Sequence, residues 1–174
     1  MVKVLSAKKV EMVLENSNSK TYLELLDGRS EELHFTQVTP TKFTVNDSDF
    51  SIKSGINVEL EIMNVDLEAT SNVIWPGQKI RVRGGLHGQG QPMKASATIP
   101  LNKKIADGVD SESFLYWVIE TPEGNLHNKK PIHMKGVVKG LPPRDTELRS
   151  DSVIPMYDQE GNLAGQIYGC LQSN

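Results

Sequence analysis

Short runs of alternating apolar and polar residues cover most of this chain, and this pattern constrains the fold more than any other feature. Successive side chains on a β-strand point to opposite faces of the sheet, so a period of two is typical of strands with one buried face. The pattern is clearest over residues 10–14, 56–62, 93–99 and 115–119. No segment of helical length shows a 3.6-residue period. The sequence therefore predicts an all-β protein.

Nine or ten such strands follow one another at intervals of about 8–12 residues, the spacing expected of a sandwich or barrel. Turn residues separate them, as at Asp27-Gly28 and at 160–162. No shift in composition marks a linker, and 174 residues suit one well-buried core. We predict a single antiparallel β-sandwich of jelly-roll type, forming one domain over residues 1–174.

Two segments interrupt the strand pattern. Residues 100–113 are predicted to form a short helix or an ordered loop. Residues 84–92 form a long glycine-rich loop. This loop is either a flexible connection between strands or a loop used in binding or assembly, since long loops in compact domains are often functional.

Charge and cysteine content narrow the function classes. The formal net charge is −3, which argues against a strongly basic nucleic-acid binder. The single cysteine, Cys170, excludes an intrachain disulfide and favours a reducing compartment. The sequence shows neither a run of about 20 apolar residues that would span a bilayer nor the apolar core of a secretory signal.

Catalytic motifs are missing from the sequence. The four histidines are scattered without zinc-ligand spacing, and no base can be assigned to Cys170 from the sequence. The glycine-rich loop lacks the Gly-Lys-Ser/Thr ending of a phosphate-binding loop. We therefore expect a protein that is not an enzyme.

Acidic residues occur in pairs within the segments predicted as turns and loops. Carboxylates in loops are the usual ligands of calcium, which makes four residues candidate metal ligands: Asp47, Asp49, Asp107 and Asp110. The alternative is that Asp is simply a favoured turn residue, because its side chain bonds to nearby backbone groups. A calcium ion between subunits is the cofactor that this pattern allows.

Basic residues occur as local doublets. The candidates for contact with RNA phosphates are Lys3, Lys8, Lys9, Arg81 and Arg83. Strand alternation places Arg81 and Arg83 on one face, where they would meet phosphate oxygens. The alternative is an ordinary solvated face.

Four further residues are candidates for an interface between subunits: Trp75, Pro76, His87 and Tyr157. Trp75 lies at a turn beside Pro76, where an aromatic ring fills either its own core or a pocket on a neighbour.

Three features of the chain carry a resemblance to a known family: the strand pattern, the length, and a second in-frame methionine, Met12, that follows MVKVLSAKKVE. The chain resembles the jelly-roll coat proteins of small satellite viruses, such as the extra small virus of freshwater prawns. The resemblance implies a capsid protein that self-assembles into an icosahedral T=1 shell around a short RNA. It also implies that residues 1–10 face the particle interior, that a shorter form starts at Met12, and that the protein occurs in virions and in host cytoplasm, without a membrane.

A β-sandwich module that binds calcium, a lipid or a carbohydrate is the alternative. It is suggested by the acidic pairs and by the predicted hairpin over residues 154–171, which is similar to the closing hairpin of calcium- and lipid-binding sandwiches of the synaptotagmin kind.

Overall fold

The computed structural model describes residues 9–46, 50–51, 55–140 and 143–174, and their regular secondary structure is almost entirely antiparallel β-strand. In chain order these are β1 (Lys9–Leu14), β2 (Asn18–Leu25), β3 (Ser30–Gln37), β4 (Thr41–Asn46), β5 (Phe50–Ser51), β6 (Gly55–Thr70), β7 (Lys79–Gly85), β8 (Met93–Ile99), β9 (Val109–Leu115), β10 (Trp117–Thr121), β11 (Gly124–Asn128), β12 (Ile132–Val138), β13 (Glu147–Arg149), β14 (Ile154–Tyr157) and β15 (Leu163–Ser173). The predicted all-β, antiparallel fold is confirmed.

The sheet closes on itself through one ring of eight strands, which we call the first half of the fold. The hydrogen-bonded order is β2, β3, β6, β7, β10, β11, β14 and β15, and β15 returns to pair with β2. Closure satisfies the backbone groups that an open sheet would leave at its edges. The jelly-roll order of the sequence prediction is not confirmed by this strand path.

The second half of the fold is built on the same two long strands. The N-terminal part of β6 lies between β4 and β8, and β1 pairs with the far side of β4. From β8 the sheet continues through β9, β12 and β13 to the C-terminal part of β15. Strands β6 and β15 therefore run through both halves and join them into one sheet.

Two irregularities mark the border between the halves. On β6, Met63 is an extra residue between Ile62, which pairs with β8, and Asn64, which pairs with β7. On β15 the register shifts after Tyr168, where Gly169 has a φ of +62° that favours glycine. An extra residue bends a strand and increases its twist. At both sites the bend lets one strand change partners.

The first half is filled by large apolar side chains. Inward positions of its strands carry residues such as Leu23, Ile80, Ile119 and Ile167, all fully buried. Trp117 adds the largest side chain and is 2% exposed. Most of the main hydrophobic cluster lies in this half, and it continues into the second half through Met93, Leu115, Ile132 and Met134.

Some local predictions are corrected by the pairing. The sequence also predicts strands over 8–15 and 20–26, joined by a polar turn at 16–19, and one strand over 114–120. Strands β1 and β2 cover most of the first two segments, but β1 pairs with β4 and not with β2. The third segment contains two strands, because the chain leaves β9 at Leu115 and starts β10 at Trp117. Residues 100–113 contain one 3-10 turn, Ile105–Asp107, and then the start of β9. The Asp27-Gly28 turn is confirmed.

Among the described residues, no helix is both long enough and apolar enough to cross a membrane.

Candidate functional site

The second half contains a cavity of about 90 Å³ between its strands. The cavity reaches from the border with the first half, at Val65 and Leu115, to the ends of β1 and β15. Its lining residues come from eight strands, including β6 and β15, and the segments beside them: Leu14, Ser17, Thr41, Phe43, Leu60, Ile62, Val65, Ala95, Ser111, Ser113, Leu115, Val138, Pro143, Thr146, Leu148, Gln172 and Asn174. Most of this wall is aliphatic.

Small inward-facing residues explain why this half is not filled. Ala95 on β8 pairs with Ser113 on β9, and Ala97 pairs with Ser111. Three of these four small residues, Ala95, Ser111 and Ser113, line the cavity. The corresponding pairs of the first half are large, as where Val82 pairs with Ile119. Protein interiors are normally packed to the density of organic crystals, so unfilled space of this size is unusual.

Gly136 lets β13 approach the cavity from the opposite wall. A Cβ atom at Gly136 would lie 2.3 Å from the carbonyl oxygen of Glu147 and 2.6 Å from Cδ2 of Leu148. Any side chain at Gly136 would therefore displace β13. The close approach places Leu148 of β13 in the cavity lining.

The chemistry of the lining is that of an apolar chamber with a few hydroxyls and amides. None of the lining residues in the described part of the chain carries an ionisable side chain. Most of the polar ones already bond within the chain: the Asn174 amide donates to the carbonyl oxygen of Pro143 at 2.7 Å, and the Thr146 hydroxyl to that of Arg144 at 3.0 Å. Such a wall suits an apolar molecule better than a charged one.

A surface recess lies over one end of the cavity. It is lined by β1 and by the segment before β13, and it shares Leu14, Pro143 and Asn174 with the cavity. Among the described strands β1 pairs with β4 alone. The recess therefore marks the side from which a molecule would reach the cavity without crossing a hydrogen-bonded ladder.

The glycine-rich segment 84–92 is anchored at the border of the two halves. Its first two residues end β7, and the side-chain amide of Gln89 donates to the carbonyl oxygens of Trp117 at 3.0 Å and Asn128 at 2.9 Å. Of the two interpretations of this loop, a flexible connection does not fit these two contacts.

The candidate phosphate ligands Arg81 and Arg83 are placed on neighbouring positions of β7, facing the strands on either side. Arg81 forms an ion pair with Asp66 at 3.2 Å, and Arg83 with Glu120 at 2.6 Å. Each guanidinium group is thus paired with a carboxylate of its own sheet, and the phosphate contact of these two arginines stays a prediction. Lys3 and Lys8 lie outside the described residues, as does the side chain of Lys9.

The candidate interface residues differ in position. Trp75 belongs to the core, at 8% exposed, and its indole N–H donates to Glu123 at 2.6 Å, so this chain covers its own ring. Trp75 is therefore corrected from an interface residue to a core residue. Pro76 and His87 are exposed, and the ring of Tyr157 is half-buried beneath the Lys129 ammonium. For these three the interface role stays a prediction.

Of the four candidate metal ligands, the structure describes Asp107 and Asp110. Asp107 and Asp110 are exposed, and the Asp107 carboxylate accepts the backbone N–H of Lys104 at 3.1 Å, as a turn residue does. Asp47 and Asp49 lie outside the described residues. The described ranges contain no group of three or more His, Cys, Asp or Glu side chains that could hold a metal ion.

Cys170 is buried against the hydroxyl of Thr21, with Sγ and Oγ1 3.0 Å apart. Burial raises the pKa of the thiol to about 11, so it is almost entirely protonated at pH 8. We expect alkylation of native Cys170 at pH 8 to be at least about a hundredfold slower than that of a free cysteine. Labelling by iodoacetamide with and without urea measures this. Rapid labelling of the native protein would show that the thiol is accessible.

Fold and cavity together define a class: an all-β protein whose single antiparallel sheet closes around a packed first half and keeps a small apolar chamber in its second half. No protein-family model matches the sequence, and the search of curated proteins finds no significant match. Among solved structures the chain is similar to DynF from the dynemicin biosynthesis pathway of Micromonospora chersina. The TM-score is 0.72 at 12% sequence identity, over 99% of this chain and 89% of that chain. At this identity the likeness shows a shared fold.

The prediction of a satellite-virus capsid protein is wrong. The solved structure that shares the fold over nearly the whole chain belongs to a biosynthesis pathway, and nothing in the comparisons connects this chain to coat proteins. All-β patterning without catalytic motifs is common to shell proteins and to closed ligand-holding sheets, so it could not separate the two. RNA packaging, shell assembly and location in a virion depended on that interpretation and remain untested.

Sequence reasoning missed the cavity, although one signal was present. The alternation over 93–99 identified Ala95 and Ala97 as inward residues, but β9 was not recognised as a strand, so its serines were not placed opposite them. Small residues at facing inward positions of adjacent strands are the pattern that indicates unfilled space.

Proposed function

We propose that this protein binds a small, mainly apolar molecule in the cavity of its second half. The observation that carries the proposal is the contrast between the halves: one is packed with large side chains, and the other contains about 90 Å³ of unfilled, mostly aliphatic space. An apolar cavity of about 150 Å³ binds benzene. This cavity therefore suits about four non-hydrogen atoms, or the end of a longer molecule that continues into the recess.

Binding without catalysis is part of the proposal. Among the described lining residues there is no cysteine, and there is no acidic or basic side chain that could activate one of the hydroxyls as a nucleophile. The shared fold with DynF supports a role in handling a small molecule, because proteins of biosynthesis pathways meet such molecules as substrates, products or cargo.

Filling the cavity tests the proposal. Ala95→Leu adds three carbons to the wall beside Ser113 and should weaken binding of n-pentane by at least about tenfold, because the ligand space is occupied. The free energy of unfolding should change by less than about 1.5 kcal/mol, since added packing contacts offset local strain. Binding is measured by NMR titration of the methyl groups that line the cavity.

The matched control is Ala106→Leu, the same substitution at an exposed position in the 3-10 turn. It should bind n-pentane as the unmodified protein does. Equal binding by all three proteins would place the ligand elsewhere, and no binding by the unmodified protein would contradict the proposed function.

A further inference from the structure

One hydroxyl in the cavity wall has no hydrogen-bond partner. Ser113 is 3% exposed and lines the cavity, and within the described part of the chain its Oγ has no partner. Its neighbours across the strands are Ala95 and Met134, whose side chains offer at most a weak sulfur acceptor. A buried hydroxyl without a partner is costly, and most such groups in proteins are satisfied.

The other polar side chains of the wall show that partners are available to a lining residue. Ser111, on the same face of β9, donates its hydroxyl to the carbonyl oxygen of Ser96 at 3.0 Å. Gln172 donates to the hydroxyl of Ser17 at 3.3 Å, and Gln37 donates to the Thr41 hydroxyl at 3.2 Å. Ser113 therefore differs from its neighbours in keeping its hydrogen-bonding capacity for something inside the cavity.

We infer that Ser113 hydrogen-bonds a single oxygen of the ligand, which makes the ligand class a small apolar molecule carrying one hydroxyl or carbonyl group. This inference rests on the proposed function. The serine hydroxyl both donates and accepts, so it serves either oxygen. A site that bonds a ligand hydroxyl discriminates strongly against an analogue without it, because binding that analogue leaves the buried partner unpaired.

Two probes of matched length separate the polar contact from apolar packing: 1-butanol and n-pentane, in which a methyl group replaces the hydroxyl. Ser113→Ala should weaken 1-butanol binding by about tenfold, while n-pentane binding stays the same or improves. Ser30→Ala is the control, the same substitution at an exposed position of β3 that does not line the cavity. It should leave both affinities unchanged.

The outcomes distinguish the inference from the function that it deepens. If Ser113→Ala changes both affinities equally, or if Ser30→Ala changes their ratio as much, the inference is wrong and the cavity remains a binding site. A high-resolution structure of the 1-butanol complex in which the Ser113 hydroxyl bonds a water molecule, and not the oxygen of 1-butanol, would also overturn the inference. If neither probe binds the unmodified protein, the proposed function and the inference both fail.

Discussion

Asn128→Ala should destabilise the protein by about 4 kcal/mol, because it leaves two buried backbone groups and a third, partly buried one without partners. The Asn128 side chain is fully buried. Its oxygen accepts the backbone N–H of Trp117 at 2.7 Å, and its amide nitrogen donates to the carbonyl oxygens of Leu115 at 3.0 Å and Lys130 at 2.8 Å. Leu115 ends β9 and Trp117 starts β10, so this one amide connects the two halves where the chain passes between them.

Urea unfolding measures the change, with two comparisons. Asn102→Ala, at an exposed loop position, should change the free energy of unfolding by less than about 0.5 kcal/mol. Asn128→Asp keeps the size of the side chain but faces two carbonyl oxygens with a carboxylate, so it should destabilise at least as much as alanine. An Asn128→Asp protein as stable as the unmodified one would show that packing, and not the hydrogen bonds, fixes this junction.

Glu31→Gln should destabilise the protein by about 3 kcal/mol at pH 7. Glu31 lies on β3 and is 9% exposed. Its carboxylate accepts the Ser71 hydroxyl at 2.6 Å and the backbone N–H groups of Asn72, Val73 and Ile74 at 2.5, 3.1 and 3.2 Å. Glutamine replaces one acceptor oxygen with a donor and removes the charge that strengthens all four bonds.

This effect should depend on pH. Burial of the Glu31 carboxyl acts to raise its pKa, but the hydrogen bonds from Ser71 and the three N–H groups outweigh burial, so the pKa lies below the ordinary 4.5. A group whose pKa is lower in the folded state stabilises the fold above its unfolded pKa and loses that contribution as pH falls through the folded value. The stability difference between the unmodified protein and Glu31→Gln should therefore be constant above about pH 5.5 and shrink below about pH 4.5.

Chemical unfolding at several pH values between 3 and 7 gives this difference directly. Glu59→Gln, at an exposed position of β6, is the control and should follow the unmodified protein at every pH. If the difference in the free energy of unfolding between the unmodified protein and Glu31→Gln stays constant down to pH 3, the negative charge of Glu31 does not contribute to stability.

The period-two alternation predicted the strands that have one buried and one exposed face. The alternating run over 56–62 lies in strand β6, which runs over Gly55–Thr70, and the closing hairpin of β14 and β15 was also predicted. The alternation fixes only which face of a strand is buried. It says nothing about partners, so it could not show that β1 pairs with β4 or that β6 changes partners at Met63.

Short strands and side-chain volume explain the remaining errors. Strand β13 has three residues, too few for a period to be recognised, yet it supplies Leu148 to the cavity wall. Ala95 and Ser113 are compatible with a filled core as well as with a cavity, because the outcome depends on the residues that they face across strands. The site therefore became visible only when the register was known.

Crystals of the protein pressurised with xenon test the central claim most directly, because xenon enters dry apolar cavities without needing a specific contact. We expect one strong xenon position in the second half, between Ala95, Leu115 and Leu148, and none in the packed first half. Ordered water filling that space, or side chains closed over it with no xenon bound, would contradict the claim that this protein keeps an apolar chamber for a ligand.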